Sequence, residues 1–283
     1  MDDTRLEQPN HIQNMLTTPR NFHSLKDQGL ANAHEQGSQA WLDGRKGRIT
    51  GSKPSTLFFN FKEEKDWDII LEQWFGDKKE DFDEIALARM AHGSHFEDVS
   101  VKVILDSIPF SHFYECPQID INENYSASAD GLIKVFDPNK PTNWRANVEI
   151  KCPAGGIGNS HEEMKAILIK KWKLPASYYM VQIMLECCAQ NAKETLFVCT
   201  VPTLTRFWKI KFDQEYFNLC IEVLENFRLK NVGFEVMLSK INKLKSASFR
   251  ISKSAVLFQD VETVFDELKD ECVVKKIKKY CNL

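Results

Sequence analysis

Residues 148–153 read V-E-I-K-C-P, a short apolar run with two opposite charges at alternate positions. Alternation of this kind belongs to a β-strand, whose successive side chains point to opposite faces. Val148, Ile150 and Cys152 then share an apolar face, and Glu149 and Lys151 share the other. Such a strand has to be covered by core on one side while the charged side is left to solvent or to chemistry. Taken alone, the pattern most often marks a half-buried strand with a solvated ion pair, so its meaning depends on its neighbours.

Those neighbours predict a sheet. Residues 113–121, 125–136 and 146–152 are apolar-rich runs separated by N-E-N and by D-P-N-K-P-T-N-W, both turn signals. Apolar spacing predicts a helix over residues 66–75 and a longer one over 82–108, interrupted or tightened near Gly93. A helix over 175–190, strands over 194–201 and 206–212, and a helix over 214–229 follow. The order α-βββ-α-ββ-α predicts an α+β fold with a central mixed sheet flanked by helices.

A chain of 283 residues with 43% apolar content can fill one large core. Residues 1–38 are polar and aperiodic and are expected to form a flexible arm, residues 39–231 the folded domain, and residues 232–283 a helical, basic extension. Within that extension, residues 238–256 carry Lys240, Lys243, Lys245, Arg250 and Lys253 and no acid, which suits either a solvated tail or a contact with nucleic acid or a partner. No 18-residue apolar run and no signal-peptide pattern occurs, so an intracellular protein without a membrane segment is expected.

Eight cysteines, at 116, 152, 187, 188, 199, 220, 272 and 281, include no C-x-x-C pair. That spacing argues against a zinc or iron-sulfur site and against a disulfide framework. The net charge of −3 does not bear on nucleic-acid binding, which responds to local clusters of Lys and Arg.

In a hairpin of the second and third runs, Asp130 lies near the start of one strand and Glu149 and Lys151 in the middle of the next, so all three can reach one face. Hard cations such as Mg²⁺ take oxygen ligands, usually one or two carboxylates completed by water and substrate phosphate. Asp130, Glu149 and the backbone carbonyl of Ile150 suit that role, and an adjacent Lys151 suits the orientation or deprotonation of a water.

This D…E-x-K arrangement resembles the PD-(D/E)XK nuclease superfamily, and further motifs narrow the resemblance to the lambda-exonuclease or YqaJ-type viral recombinase family. They are W-L-D-G-R-K-G-R-I-T-G-S at 41–52, G-S-H-F-E at 93–97, S-A-D-G-L at 128–132, E-I-K-C-P at 149–153 and Y-M-V-Q at 179–182. Together they span about residues 41–212, in the family's order. Two positions depart from the usual pattern, Ala129 where the family often has Pro and His92 where many members have Trp.

The resemblance implies a restriction-endonuclease-like core over residues 39–231 and a Mg²⁺-dependent 5′→3′ exonuclease, with Mn²⁺ able to substitute. Its substrate is expected to be linear double-stranded DNA, trimmed on one strand to leave 3′ overhangs for recombination or repair. Asp130, Glu149 and Glu97 are the implied metal-binding carboxylates, Lys151 the water-activating residue and Gln182 its neighbour at the edge of the site. Arg45 resembles the family's 5′-phosphate-binding arginine, with Ser52 and Ser128 as companions, because a guanidinium forks onto phosphate oxygens. Lys165, Lys170, Lys171, Lys173 and Trp172 fall in a segment that resembles the family's DNA-path loop, where an amphipathic surface helix is an equal alternative. His92, His95 and Arg48 are read as structural or solvated. Implied partners are DNA ends, a single-strand annealing protein and two further copies in a ring-shaped homotrimer. Two other readings stay open, an alkaline-nuclease-like endonuclease cutting DNA or RNA and a catalytically silent DNA-binding scaffold.

Overall fold

The computed structural model describes residues 21–30, 38–76, 83–153 and 161–262. The expected arm at 1–20 and 31–37, the G-G-I-G run, Ser160, Cys272, Cys281 and the K-K-I-K-K end lie outside the described residues.

The chain begins with β1 (Phe22–His23), α1 (Gln39–Gly44), β2 (Ile49–Thr50), α2 (Ser55–Asn60), α3 (Asp66–Phe75) and α4 (Glu84–Ser107). The middle is β3 (Ser111–Tyr114), β4 (Ile119–Asp120), β5 (Tyr125–Ala127), β6 (Gly131–Val135) and β7 (Trp144–Lys151). Then come α5 (His161–Lys171), a 3₁₀ turn (Ser177–Tyr179), α6 (Met180–Ala189), β8 (Glu194–Val201), β9 (Leu204–Lys211), α7 (Gln214–Leu229), α8 (Phe234–Ser254) and β10 (Val256–Glu262). The starts of α4 and α7 are fixed by side-chain caps: Asp83 accepts from the Ala86 N–H at 2.7 Å and Asp213 from the Tyr216 N–H at 2.8 Å.

Seven strands form the main sheet in the order β1-β3-β6-β7-β8-β9-β10, and β2-β5-β4 form a second, small sheet. The pairs β1–β3 and β7–β8 are parallel and the remaining pairs of the main sheet are antiparallel. The parallel β7–β8 pair needs a crossover, which α5 and α6 supply. One face of the sheet packs Val148, Ile150, Leu196 and Val198 against Phe96, Val99, Val103 and Ile104 of α4. The other packs Phe197, Cys199, Trp208 and Ile210 against α6, α7 and α8. The sheet is therefore buried on both sides along the middle of β7, and a charged residue there, Glu149, has no open solvent to face.

Four expectations are corrected. The run 113–121 is two strands, β3 and β4, in different sheets, because Pro117 has no N–H to give a ladder. The run 125–136 also divides: β5 ends at Ala127, the chain crosses between sheets at Ser128–Asp130, and β6 begins at Gly131. A Cβ at Gly131 would lie 2.1 Å from the Phe113 ring, so only glycine permits that crossing. The helix expected at 82–108 runs unbroken through Gly93, and the helix expected from 175 begins at Met180 after the 3₁₀ turn.

The segment after 232 is packed rather than frayed over its described part. Met237, Ile241, Leu244 and Ala247 of α8 join the main core, and β10 pairs along β9 at the sheet edge. Arg206 clasps that edge with a forked pair to Asp260, at 2.7 and 2.6 Å. The apolar stripe of α8 was faint in the sequence because Ser248 and Ser252, both buried, complete it: they bond Tyr216 and the Pro175 carbonyl.

Candidate active site

Strand β7 carries Asn147, Glu149 and Lys151 on the side that faces α6. Glu149 is 0% exposed. Its Oε1 accepts from the Gln182 amide at 2.6 Å and pairs with the Lys151 ammonium, while its Oε2 is buried without a partner. Lys151, 24% exposed on its side chain, also lies over the Tyr179 ring at 5.1 Å. Asp130, in the crossing between sheets, accepts from the Ile150 N–H at 2.6 Å, which holds it beside β7.

Among the described residues Lys151 is the one cation paired in this cluster, and Glu97 and Glu186 stand close enough to feel its charge and that of Glu149. Burial, then the charges of Glu149 and Glu97, push Asp130 well above the usual carboxylate range. Glu97, reaching in from α4, is pushed up to about 7 by burial and then by Glu149 and Asp98. Burial pulls the Lys151 ammonium down, but Glu149 and Asp130 outweigh it and its pKa ends above the ordinary lysine value. The fourth carboxylate, Glu186, was not singled out from the sequence. It is 1% exposed and accepts from Gln182 at 2.8 Å and from Asn147 at 3.2 Å, and burial, then Glu149 and Asp130, raise it strongly. The signal was present, since Glu186 stands four residues after Gln182 on the same helix face and Asn147 two before Glu149 on the same strand face.

A second group has the opposite charge. Arg45 follows α1, lies over the Trp41 ring at 4.1 Å and donates to the hydroxyls of Thr50 at 2.9 Å and Ser52 at 3.4 Å. Among the described residues no carboxylate pairs with it. Lys53, also overlooked, donates to the carbonyls of Arg48 and Trp74. Burial and then the Arg45 charge lower its pKa to about 8. The β2–β5 register pairs Thr50 with Ser126, so Ser52 and Ser128 each stand two residues beyond that pair. The Ser128 hydroxyl is buried without a partner, and Asp130 follows two residues later. Ser52, beyond β2, and Ser128 and Asp130, beyond β5, thus leave the small sheet from two neighbouring strands.

Other expected residues fall elsewhere. Lys170 and Lys171 are exposed at the end of α5 and Lys173 is exposed just after it, whereas Lys165 is paired with Glu262 at 2.8 Å. Trp172 is half-buried, its ring stacked on Tyr179 and Phe197 at 6.1 and 6.3 Å, so it is not a free stacking platform. Arg48 is not simply solvated, because it pairs with Asp120 at 2.9 Å and donates to the Gly44 carbonyl at 2.8 Å. His92 is buried against Phe96 and held down to about 4 by burial, whereas His95 makes an edge contact with the same ring.

Among the described residues no three His, Cys, Asp or Glu side chains form a ready-made metal cage. Asp130 with Glu149 is instead the open, two-carboxylate kind of site that leaves room for water. The partnerless Oε2 of Glu149 and the mutual repulsion of the carboxylates both fit a divalent cation.

No protein-family model and no curated protein matches the chain. Among solved structures, it is similar to an alkaline exonuclease (LHK-Exo) from Laribacter hongkongensis, with a TM-score of 0.50 and 18% identity over 76% of this chain and 100% of that one. LHK-Exo in complex with dAMP matches with a TM-score of 0.48 and 18% identity over 76% and 97% of the two chains. The likeness to the first establishes the fold as α+β and restriction-endonuclease-like, with a large mixed sheet flanked by helices.

Proposed function

We propose that this chain is a divalent-metal-dependent deoxyribonuclease that starts at the ends of linear double-stranded DNA and digests one strand 5′→3′, leaving 3′ overhangs for recombination or repair. The observation that carries the proposal is the convergence of Asp130, Glu149, Lys151 and Gln182 near Arg45, Ser52 and Lys53, a cationic group with which no carboxylate pairs among the described residues. The fold shared with an alkaline exonuclease supports the same reading.

Asp130, Glu149 and the Ile150 carbonyl would hold Mg²⁺ or Mn²⁺, with Glu97 reaching it directly or through water. When bound, the ion supplies charge stabilisation for an attacking water and a departing oxygen. Lys151, kept protonated by Glu149, donates to that water to orient it and stabilises the charge that develops on it, and Glu149 holds the ammonium in place. Gln182 fixes the Glu149 carboxylate by donating to Oε1. Arg45 and the Ser52 hydroxyl take the terminal phosphate, which selects an end over an internal bond. The reading extends to a ring-shaped homotrimer and to a single-strand annealing protein that receives the overhang; a monomeric mass by light scattering would remove the ring.

The test is digestion of a linear duplex and of its covalently closed circular form with Mg²⁺, comparing 5′-phosphate and 5′-hydroxyl ends. Loss of the linear form alone, faster with 5′-phosphate, is expected. Cutting of the circle would make the protein an endonuclease, and binding of DNA without cleavage would make it a scaffold.

A further inference from the structure

The carboxyl of Glu186 has no place in the mechanism above, yet it is 1% exposed and, among the described residues, forms no ion pair, the Lys151 charge reaching it only from beyond Glu149. A buried carboxylate without a cation is costly, and an apolar side chain would serve helix packing better. Among the described residues its hydrogen bonds come from amides. Gln182 Nε2 donates to Glu149 Oε1 at 2.6 Å and to Glu186 Oε1 at 2.8 Å, so one amide bridges two carboxylates. Asn147 Nδ2 donates to Glu186 Oε2 at 3.2 Å and to the Thr195 hydroxyl at 3.3 Å, which ties Glu186 back to the sheet. Glu186 thus supplies a fixed second acceptor that sets the direction of the Gln182 amide.

The phosphate pocket leans on the same amide. A Cβ at Gly51 would stand 3.3 Å from Gln182 Cγ and 3.6 Å from Glu186 Oε1, the first distance tighter than an ordinary contact. Gly51 lies between Thr50 and Ser52, the two hydroxyl residues that accept from Arg45. Its φ is not in the left-handed region, so glycine is needed there for room, not for conformation. Gly51 is therefore the point at which a shift of Thr50 and Ser52 would meet Gln182, whose amide holds Glu149.

We propose that Glu186 is a positioning residue which, with Gly51 seated against it, fixes the Gln182 amide on Glu149 and so couples the terminal-phosphate pocket to the catalytic carboxylate. This rests on the reading of Arg45 as the phosphate ligand. The coupling makes a filled pocket part of the assembly of the site, so that a 5′-phosphate speeds hydrolysis beyond what it adds to binding.

Two measurements test it. In the metal-free full-length protein, the Gln182 side-chain amide resonance, identified by its loss in Gln182→Met, is followed on addition of a duplex with 5′-phosphate or 5′-hydroxyl ends. A shift with the phosphorylated duplex alone, reduced in Gly51→Ala, is expected; no response in the wild-type protein overturns the coupling. In the second, hydrolysis rates at saturating DNA are compared for the two ends. The 5′-phosphate advantage is expected to fall about three- to thirtyfold in Glu186→Gln and Gly51→Ala. Equal slowing of both ends would show a merely structural role and overturn the proposal. The resonance needs no catalysis: a Gln182 response in a protein that cleaves nothing leaves the coupling standing and removes the exonuclease reading. Cleavage that favours 5′-phosphate without a response does the reverse.

Discussion

The carboxylate cluster around Glu149 and the Arg45–Lys53 pocket are both charge-imbalanced, and in opposite senses. In the first, Asp130, Glu97 and Glu186 are all raised by burial and then by Glu149, with Lys151 as the one cation paired there among the described residues. In the second, Lys53 is lowered by burial and by Arg45, and no carboxylate answers either charge among the described residues. A fold built only for stability would pair such groups with each other, as Arg206 and Asp260 are paired at the sheet edge. Keeping them apart leaves one region suited to a cation and the other to an anion.

The largest effect is expected in the first region. Lys151→Ala should slow hydrolysis by about 10²–10⁴-fold, the usual range for a positioned acid or base, while anisotropy with a labelled duplex still reports DNA binding. Full cleavage by that variant would dissolve the contrast, since the lone cation would then be a structural counter-ion. In the second region Arg45→Ala should reduce the preference for a 5′-phosphate by about 10–100-fold, the worth of one or two charge-assisted hydrogen bonds, and act less on 5′-hydroxyl ends.

The two regions were not equally legible in the sequence. Glu149 and Lys151 stand in one strand, and alternation alone puts them on one face. Asp130 was expected beside them from a simple hairpin, and it is there for a less simple reason. The chain leaves one sheet for another at Ser128–Asp130, a crossing that Gly131 permits and that no periodicity announces. Lys53 and Glu186 were missed because their importance lies in what they lack: among the described residues neither forms an ion pair, and that is visible only in three dimensions. Residues after 232 were underestimated for a related reason, since buried Ser248 and Ser252 break the apolar stripe that α8 uses in the core.

The contrast also has a thermodynamic side. A carboxyl whose folded pKa is raised costs stability once the pH exceeds its unfolded value, because ionisation then favours the unfolded chain. Asp130 has this sign, driven by burial and by Glu149 and Glu97. Asp130→Asn can still accept from the Ile150 N–H, so at pH 8 without metal the variant should melt at least about 2 °C higher than the wild-type protein, even as it loses metal affinity. A lower melting temperature would mean that the carboxylates are compensated within the fold and that the cluster is not strained.

The smallest effect, and the sharpest on the anion side, concerns Lys53. Its pKa is lowered to about 8, so its charge is present below that pH and disappears as the pH rises through it. Facing it are the Arg45 guanidinium, the carbonyls of Arg48 and Trp74 and the Phe75 ring, and none of these titrates between pH 6 and 10. A terminal phosphate, whose second pKa is near 6, is close to dianionic from about pH 7 upward. The advantage in binding a 5′-phosphorylated over a 5′-hydroxyl duplex should therefore be greatest between about pH 7 and 8 and fall a few-fold, roughly the weight of one partly screened charge, by pH 9.5. Lys53→Met should keep an advantage set by Arg45 alone and make it level across the range. A wild-type advantage that is already level would assign Lys53 to the carbonyls it holds, as a clasp on the end of α3, and leave Arg45 as the whole of the cationic pocket.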